Sequence, residues 1–157
     1  MVDLQELTEA FVAKLRAIPE LVAALGPDPL TPDPNRIFGY IDDNPDNNSI
    51  SNAAYEQEPG SILVGWQETL ISEEEMPAWT HMYQFYIRAP RRGASALKLI
   101  TLLVNGVPNP GDGLRWRYCP VMSGVLPTNI TDCERLVDSE GIDYFAVTTA
   151  TKETGDI

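Results

Sequence analysis

The sequence predicts an α+β fold: a single domain in which a mostly antiparallel mixed sheet carries two main helices on one face. Three observations predict it. Leu4, Leu7, Phe11, Leu15, Ile18, Val22 and Leu25 recur at the spacing of one helical face. Trp79–Arg88 is rich in aromatic and β-favouring residues and reads as a strand. It runs through the turn Ala89-Pro-Arg-Arg-Gly93 into a helix over 96–104 that is apolar on most of its circumference and therefore belongs in a core. Finally, the segments Cys133–Asp138 and Asp143–Thr151 flank a turn, which favours an antiparallel hairpin.

Taken in order, Asp3 is placed to cap the first helix, with acid favourable in the first turn. Pro19 lacks the N–H that a continuous helix needs, so the first helix ends near Ala17 and a short second one starts at Pro19. Gly26-Pro27 stops it. Arg36–Ile41 is a short strand. The stretch 42–59 is polar and free of Lys and Arg, a long acidic loop. Gly60–Glu68 is the second strand, and 72–77 an acidic connector. After the central strand, Ser95 is placed to cap the apolar helix. Residues 105–113 form a turn region, and Leu114–Cys119 alternates Arg115 and Arg117 with Trp116 and Tyr118 as a half-buried strand. Residues 123–132 read as irregular, and the tail from Lys152 to Ile157 as flexible.

A chain of 157 residues suffices for a core that buries roughly 70% of the unfolded surface without metal or disulfide staples. No apolar run approaches the ~20 residues of a membrane-spanning helix. The first residues lack a positive n-region and an apolar h-region, so folding in a cytoplasm is expected. Cys119 and Cys133 are then expected as free thiols behaving as small, partly buried apolar residues. The formal net charge of −12 argues against a nucleic-acid-binding surface, because phosphates require a basic patch. Its distribution is uneven. Arg88, Arg91, Arg92, Lys98, Arg115 and Arg117 face Asp112 alone within 88–117, and the remainder is strongly acidic. Such a basic block can meet an acidic surface of another copy or form internal salt bridges.

Catalytic and metal-binding patterns are missing. His81, the only histidine, shares strand parity with Tyr83 and Phe85 and reads as a structural residue. Gly111-Asp-Gly113 enters a strand and lacks the Lys-Ser/Thr of a phosphate loop. Glu73, Glu74 and Glu75 are consecutive, which suits a solvated loop better than a two-carboxylate pair. The cysteines lack the further ligands of a zinc site. The expectation is a protein without enzymatic activity, cofactor or metal.

Four stretches, in this order, resemble the tail-terminator and tail-completion proteins of long-tailed bacteriophages, of the lambda-like type. They are the amphipathic helix ending in Ile18-Pro-Glu-Leu-Val-Ala-Ala-Leu-Gly26, the following Arg36-Ile-Phe38, the strand–turn–helix at 79–104, and the closing Gly141-Ile-Asp-Tyr-Phe-Ala-Val147 before Lys152-Glu-Thr-Gly-Asp156. The resemblance lies in layout and spans most of the chain. It implies a structural virion protein that forms a ring, commonly a hexamer, at the head-proximal end of the tail tube. Its partners would be further copies of itself, the tube protein and a neck protein, with DNA only in transit through the lumen and no membrane. Another neck or connector component shares this size and composition, and an acidic inhibitor that mimics nucleic acid is a reading of a different class. For a ring, Arg88, Arg91 and Arg92 are the expected contact to an acidic neighbour. Asp42, Asp43, Asp46, Glu56 and Glu58 are the expected channel- or partner-facing acidic loop.

Overall fold

The computed structural model describes residues 1–26, 33–40, 57–72, 78–90, 94–105, 120–137 and 143–154. Asp3 opens helix α1 (Leu4–Arg16), its carboxylate accepting from the backbone N–H groups of Gln5 and Glu6. Helix α2 (Pro19–Leu25) starts with its proline in the first turn, where the missing N–H costs nothing. A single 3-10 turn at Pro34–Arg36 leads into strand β1 (Ile37–Gly39). Strands β2 (Ser61–Ser72) and β3 (Ala78–Arg88) form a long antiparallel pair. Helix α3 (Ala96–Asn105) follows, with the Ser95 hydroxyl accepting from the Lys98 N–H as the sequence predicts. Strands β4 (Asn129–Val137) and β5 (Asp143–Thr154) close the described chain as an antiparallel pair.

The sheet order is β1-β2-β3-β5-β4. Among the described residues, only β1 runs parallel to its neighbour; the other three pairings are antiparallel. The fold is α+β, and the three α-helices among the described residues contribute to one core with one face of the sheet.

Strand alternation decides that layering. On β3, His81, Tyr83, Phe85 and Ile87 point to the helices, and Met82, Gln84, Tyr86 and Arg88 point away. Leu7, Phe11 and Leu15 of α1 meet Tyr83, Phe85 and Ile87, joined by Ile37, Ile62, Val64, Val147 and the α3 leucines Leu99, Leu102 and Leu103. The Phe11 ring lies 5.0 Å from that of Tyr83 and edge-on to Phe85 at 5.3 Å. A smaller cluster on the opposite face holds Leu63, Tyr86 and Ala146, with Phe38, Tyr40, Leu136 and Tyr144 against it.

Gly60 is required where it stands. Its φ is +77°, and a Cβ there would come within 2.3 Å of the Leu25 carbonyl oxygen. Arg36 Nη1 holds the same corner by donating to the Pro59 and Gly60 carbonyls, each at 3.3 Å.

Several expectations need correction. β2 continues past Glu68 to Ser72, because a bulge between Trp66 and Glu68 resets the alternation and lets Thr69, Leu70 and Ile71 pair with β3. β4 begins at Asn129, inside the stretch read as irregular; it too carries a register shift, between Ile130 and Asp132, which breaks the alternation a sequence reader follows. No flexible tail starts at Lys152: β5 extends through Thr154, and Glu153 is buried. Cys133 is a free thiol on β4, exposed where partial burial is expected; the desolvation that remains, and then the nearby Asp132 charge, push its pKa up. The strand expected at 114–119, Cys119 and most of the acidic loop (42–56) lie outside the described residues.

Tyr83 ties the two layers with its hydroxyl as well as its ring. The hydroxyl donates to the Leu4 carbonyl at 2.9 Å and lies 2.8 Å from the Thr8 hydroxyl. Burial pushes its pKa up to about 12 from 10.0. The unfolded chain therefore releases this proton near pH 10 while the folded one keeps it to about 12, so the contribution is present below pH 10 and lost as pH rises through that window. Two units correspond to roughly 2–3 kcal/mol. Tyr83→Phe should cost about 1–2 kcal/mol near neutrality and flatten the loss of stability across that alkaline range, measured by urea unfolding at a series of pH values.

Candidate functional site

At the far end of the helix-facing side, the core turns polar. His81 is fully buried, and both ring nitrogens are engaged: Nδ1 with the Thr69 hydroxyl at 2.9 Å and Nε2 with Glu153 Oε1 at 3.0 Å. Trp66 Nε1 donates to the same Thr69 hydroxyl at 2.9 Å. The Glu153 carboxylate also accepts from the Val2 N–H through both oxygens, at 3.0 Å each. Next to it, Thr128 and Thr151 share a hydrogen bond of 2.8 Å.

A hydroxyl, an imidazole and a carboxylate in series are the parts of a proton relay. Here the imidazole is fully buried, and the carboxylate is held by the backbone just before α1. The arrangement acts as a clasp fastening the start of α1 to β3 and β5. Its members sit on one sheet face by register: Trp79 opposes Glu153, and His81 opposes both Thr69 and Thr151.

The other face holds a different feature at the opposite end of β3. Arg88 is 5% exposed, with its guanidinium carbon 5.6 Å from the centroid of the Tyr144 ring. Its Nε and Nη2 have no hydrogen-bond partner. Gln57 is also buried; its Nε2 donates to the Ser61 and Tyr86 carbonyls at 2.8 and 2.9 Å, and its Oε1 has no partner. Tyr86 donates its hydroxyl to Gln84 Oε1 and stacks at 6.0 Å, tilted, on Tyr144. Burial raises the Tyr86 pKa, with smaller contributions from Tyr144 and Glu134.

A third feature is the outer half of β2. β1 covers only Ile62–Val64 of its edge, and among the described residues no strand pairs that edge further along. Trp66, Leu70 and Ile71 are 42%, 51% and 64% exposed there, half of the exposed large hydrophobics among the described residues. An unpaired strand edge with apolar side chains is a template for association. β4 is the edge at the other side of the sheet, largely exposed. A shallow groove of about 240 Å3 lies between α1 and β1, lined by Thr8, Glu9, Val12, Ala13, Arg16 and Gly39.

Of the residues predicted from sequence, Arg88 does not project into solvent; it is enclosed beside Tyr144. Arg91, Arg92, Asp42, Asp43, Asp46 and Glu56 lie outside the described residues. Glu58 is exposed, and its backbone carbonyl accepts from the Ser61 hydroxyl. Gln57, Thr69 and Glu153 carry the polar geometry and were not singled out. Glu153 had a readable signal, since it continues the core-facing parity of Val147, Thr149 and Thr151. Gln57 had none, being a polar residue in a polar stretch.

Among the described residues, no group of three or more His, Cys, Asp or Glu side chains could hold a metal ion, and no helix is long and apolar enough to cross a membrane. Neither the known protein families nor the curated proteins contain a match to this sequence.

Glu153→Ala should destabilise the fold by about 3 kcal/mol, since it strands the Val2 N–H and the buried imidazole together. Denaturant unfolding measures the loss, and amide exchange at the start of α1 should rise more than exchange at α3.

Proposed function

We propose that this chain is a structural protein of a long-tailed bacteriophage virion, a tail terminator. It forms a ring on the head-proximal end of the tail tube, ends tube polymerisation and joins the tail to the neck. The observation that carries this reading is the outer half of β2, whose edge no described strand pairs and which exposes Trp66, Leu70 and Ile71. That is a surface for a protein partner rather than for a small substrate.

A closed ring needs two unlike patches on each copy. Among the described residues, the two sheet edges supply unlike surfaces: β2 beyond Val64, which exposes Trp66, Leu70 and Ile71 beside Gln67 and Glu68, and β4, largely polar. The order of helix, short strand, strand–turn–helix and closing strand supports the same family, with β1, β3 and α3 at the stretches that carry the resemblance. A net charge of −12 suits a lumen that lets DNA slide without sticking, because like charge repels the phosphate backbone. The function needs no cofactor. Its partners are further copies of the chain, the tube protein and a neck protein, and the site of action is the tail–neck junction of a virion assembled in the host cytoplasm.

Sedimentation and electron microscopy of the purified chain, alone and mixed with isolated tail tubes, test this. Rings or capped tubes are the expected result; a monomer or dimer that leaves tubes uncapped would contradict it. Leu70→Asp with Ile71→Asp should abolish capping while circular dichroism stays unchanged. In the basic block, Arg91→Glu with Arg92→Glu should weaken assembly at low salt and matter less at high salt, because exposed ion pairs are screened.

A further inference from the structure

Arg88 is a charged side chain inside the protein, and two of its guanidinium nitrogens have no hydrogen-bond partner. Its two orphaned nitrogens, Nε and Nη2, are the pair whose N–H bonds run parallel along one edge of the guanidinium. That edge is the fork that takes both oxygens of a carboxylate. The Tyr144 ring engages the group at 5.6 Å, a cation–π contact that positions it without using any N–H.

Gln57 supplies the complement. Its amide cannot be turned over, because Nε2 faces two carbonyl oxygens, and a flip would set oxygen against oxygen. Oε1 is therefore a buried acceptor without a donor. One of the carbonyls that hold Gln57 belongs to Ser61, the register partner of Arg88, so both orphans belong to the same end of the β2–β3 pair. Buried polar groups are almost always satisfied, and two at one corner with opposite hydrogen-bonding character describe a receptor.

We propose that the Arg88 fork and Gln57 Oε1 form a docking site for an acidic side chain presented on a peptide backbone: the carboxylate takes the fork, and a neighbouring backbone N–H donates to Gln57. The occupant is a second copy of this chain. With 23 acidic and 11 basic residues, each copy offers carboxylates in excess, and a ring holds one copy against the next. This assignment rests on the ring reading above. Both nitrogens are sealed from solvent in the free subunit, so docking requires a local opening, and the site stays silent until the neighbour arrives.

The free subunit and the assembly should respond to Arg88→Met in opposite directions. A buried unpaired charge replaced by an apolar side chain of similar length raises the thermal midpoint of the free subunit. The same change should weaken self-association by tenfold or more, and Arg88→Lys, which keeps the charge but loses the fork, should weaken it too. As a direct probe, N-acetyl-aspartate amide at millimolar concentration should raise the midpoint of the wild type and leave Arg88→Met unmoved, with acetate, which lacks the N–H, less effective. A lower midpoint for Arg88→Met with unchanged association would overturn the proposal and make Arg88 a structural residue. Equal response of wild type and Arg88→Met to the probe would overturn it as well. If the wild type binds the probe through Arg88 yet never self-associates, with or without tail tubes, the second copy is overturned as occupant and the ring reading fails with it.

Discussion

Alternation along β3 is the constraint on which the rest depends. The strand has β2 on one side and β5 on the other along nearly its whole length, so neither face of it is free to drift in register. A slip of one residue would place His81, Tyr83, Phe85 and Ile87 on the wrong side and leave Phe11 facing Gln84 and Tyr86. The aromatic contacts of Phe11 with Tyr83 and Phe85 and the Tyr83 hydroxyl bonds to Thr8 and Leu4 all reward the same register. Local strand preference and tertiary packing thus point to one answer.

The two faces then diverge in what they bury. On the helix face, His81, Glu153, Thr69 and the Val2 N–H satisfy one another, while the Thr149 hydroxyl has no partner. Arg88, on the other face, and Gln57, at the same end of the β2–β3 pair, keep unmatched atoms as well. A saturated network fastens a structure, whereas an unsaturated one stores a demand that a partner can meet. On the function proposed above, the clasp fastens the subunit, and the unmatched Arg88 and Gln57 atoms, with the outer edge of β2, are the contact.

The helices were legible because each signal is local. The spacing from Leu4 to Leu25, the Asp3 and Ser95 caps and the proline at the start of α2 depend only on neighbours in sequence. The central strand was legible for its aromatic alternation. The errors arose where information is not local. The bulge after Trp66 hides the second half of β2 by changing parity, and β5 reads as ending at Thr151 until β3 is known to reach Ala78 and pair with Thr154. Arg88 looked like a surface charge because an arginine beside a turn usually is one. Its burial depends on Tyr144, 56 positions further along the chain, and no pattern around residue 88 encodes that contact. The parts of the polar clasp come from four separate elements and meet only through register.

The central claim is that subunits meet through the outer edge of β2 and the sheet face that bears Arg88. Hydrogen exchange read by mass spectrometry, on the free chain and on the chain assembled with tail tubes, tests it most directly. The account predicts new protection in peptides covering 57–72 and 84–88, with α1 and α3 unchanged. Protection gained over α1 and α3 instead, with 57–72 and 84–88 unaltered, would contradict it.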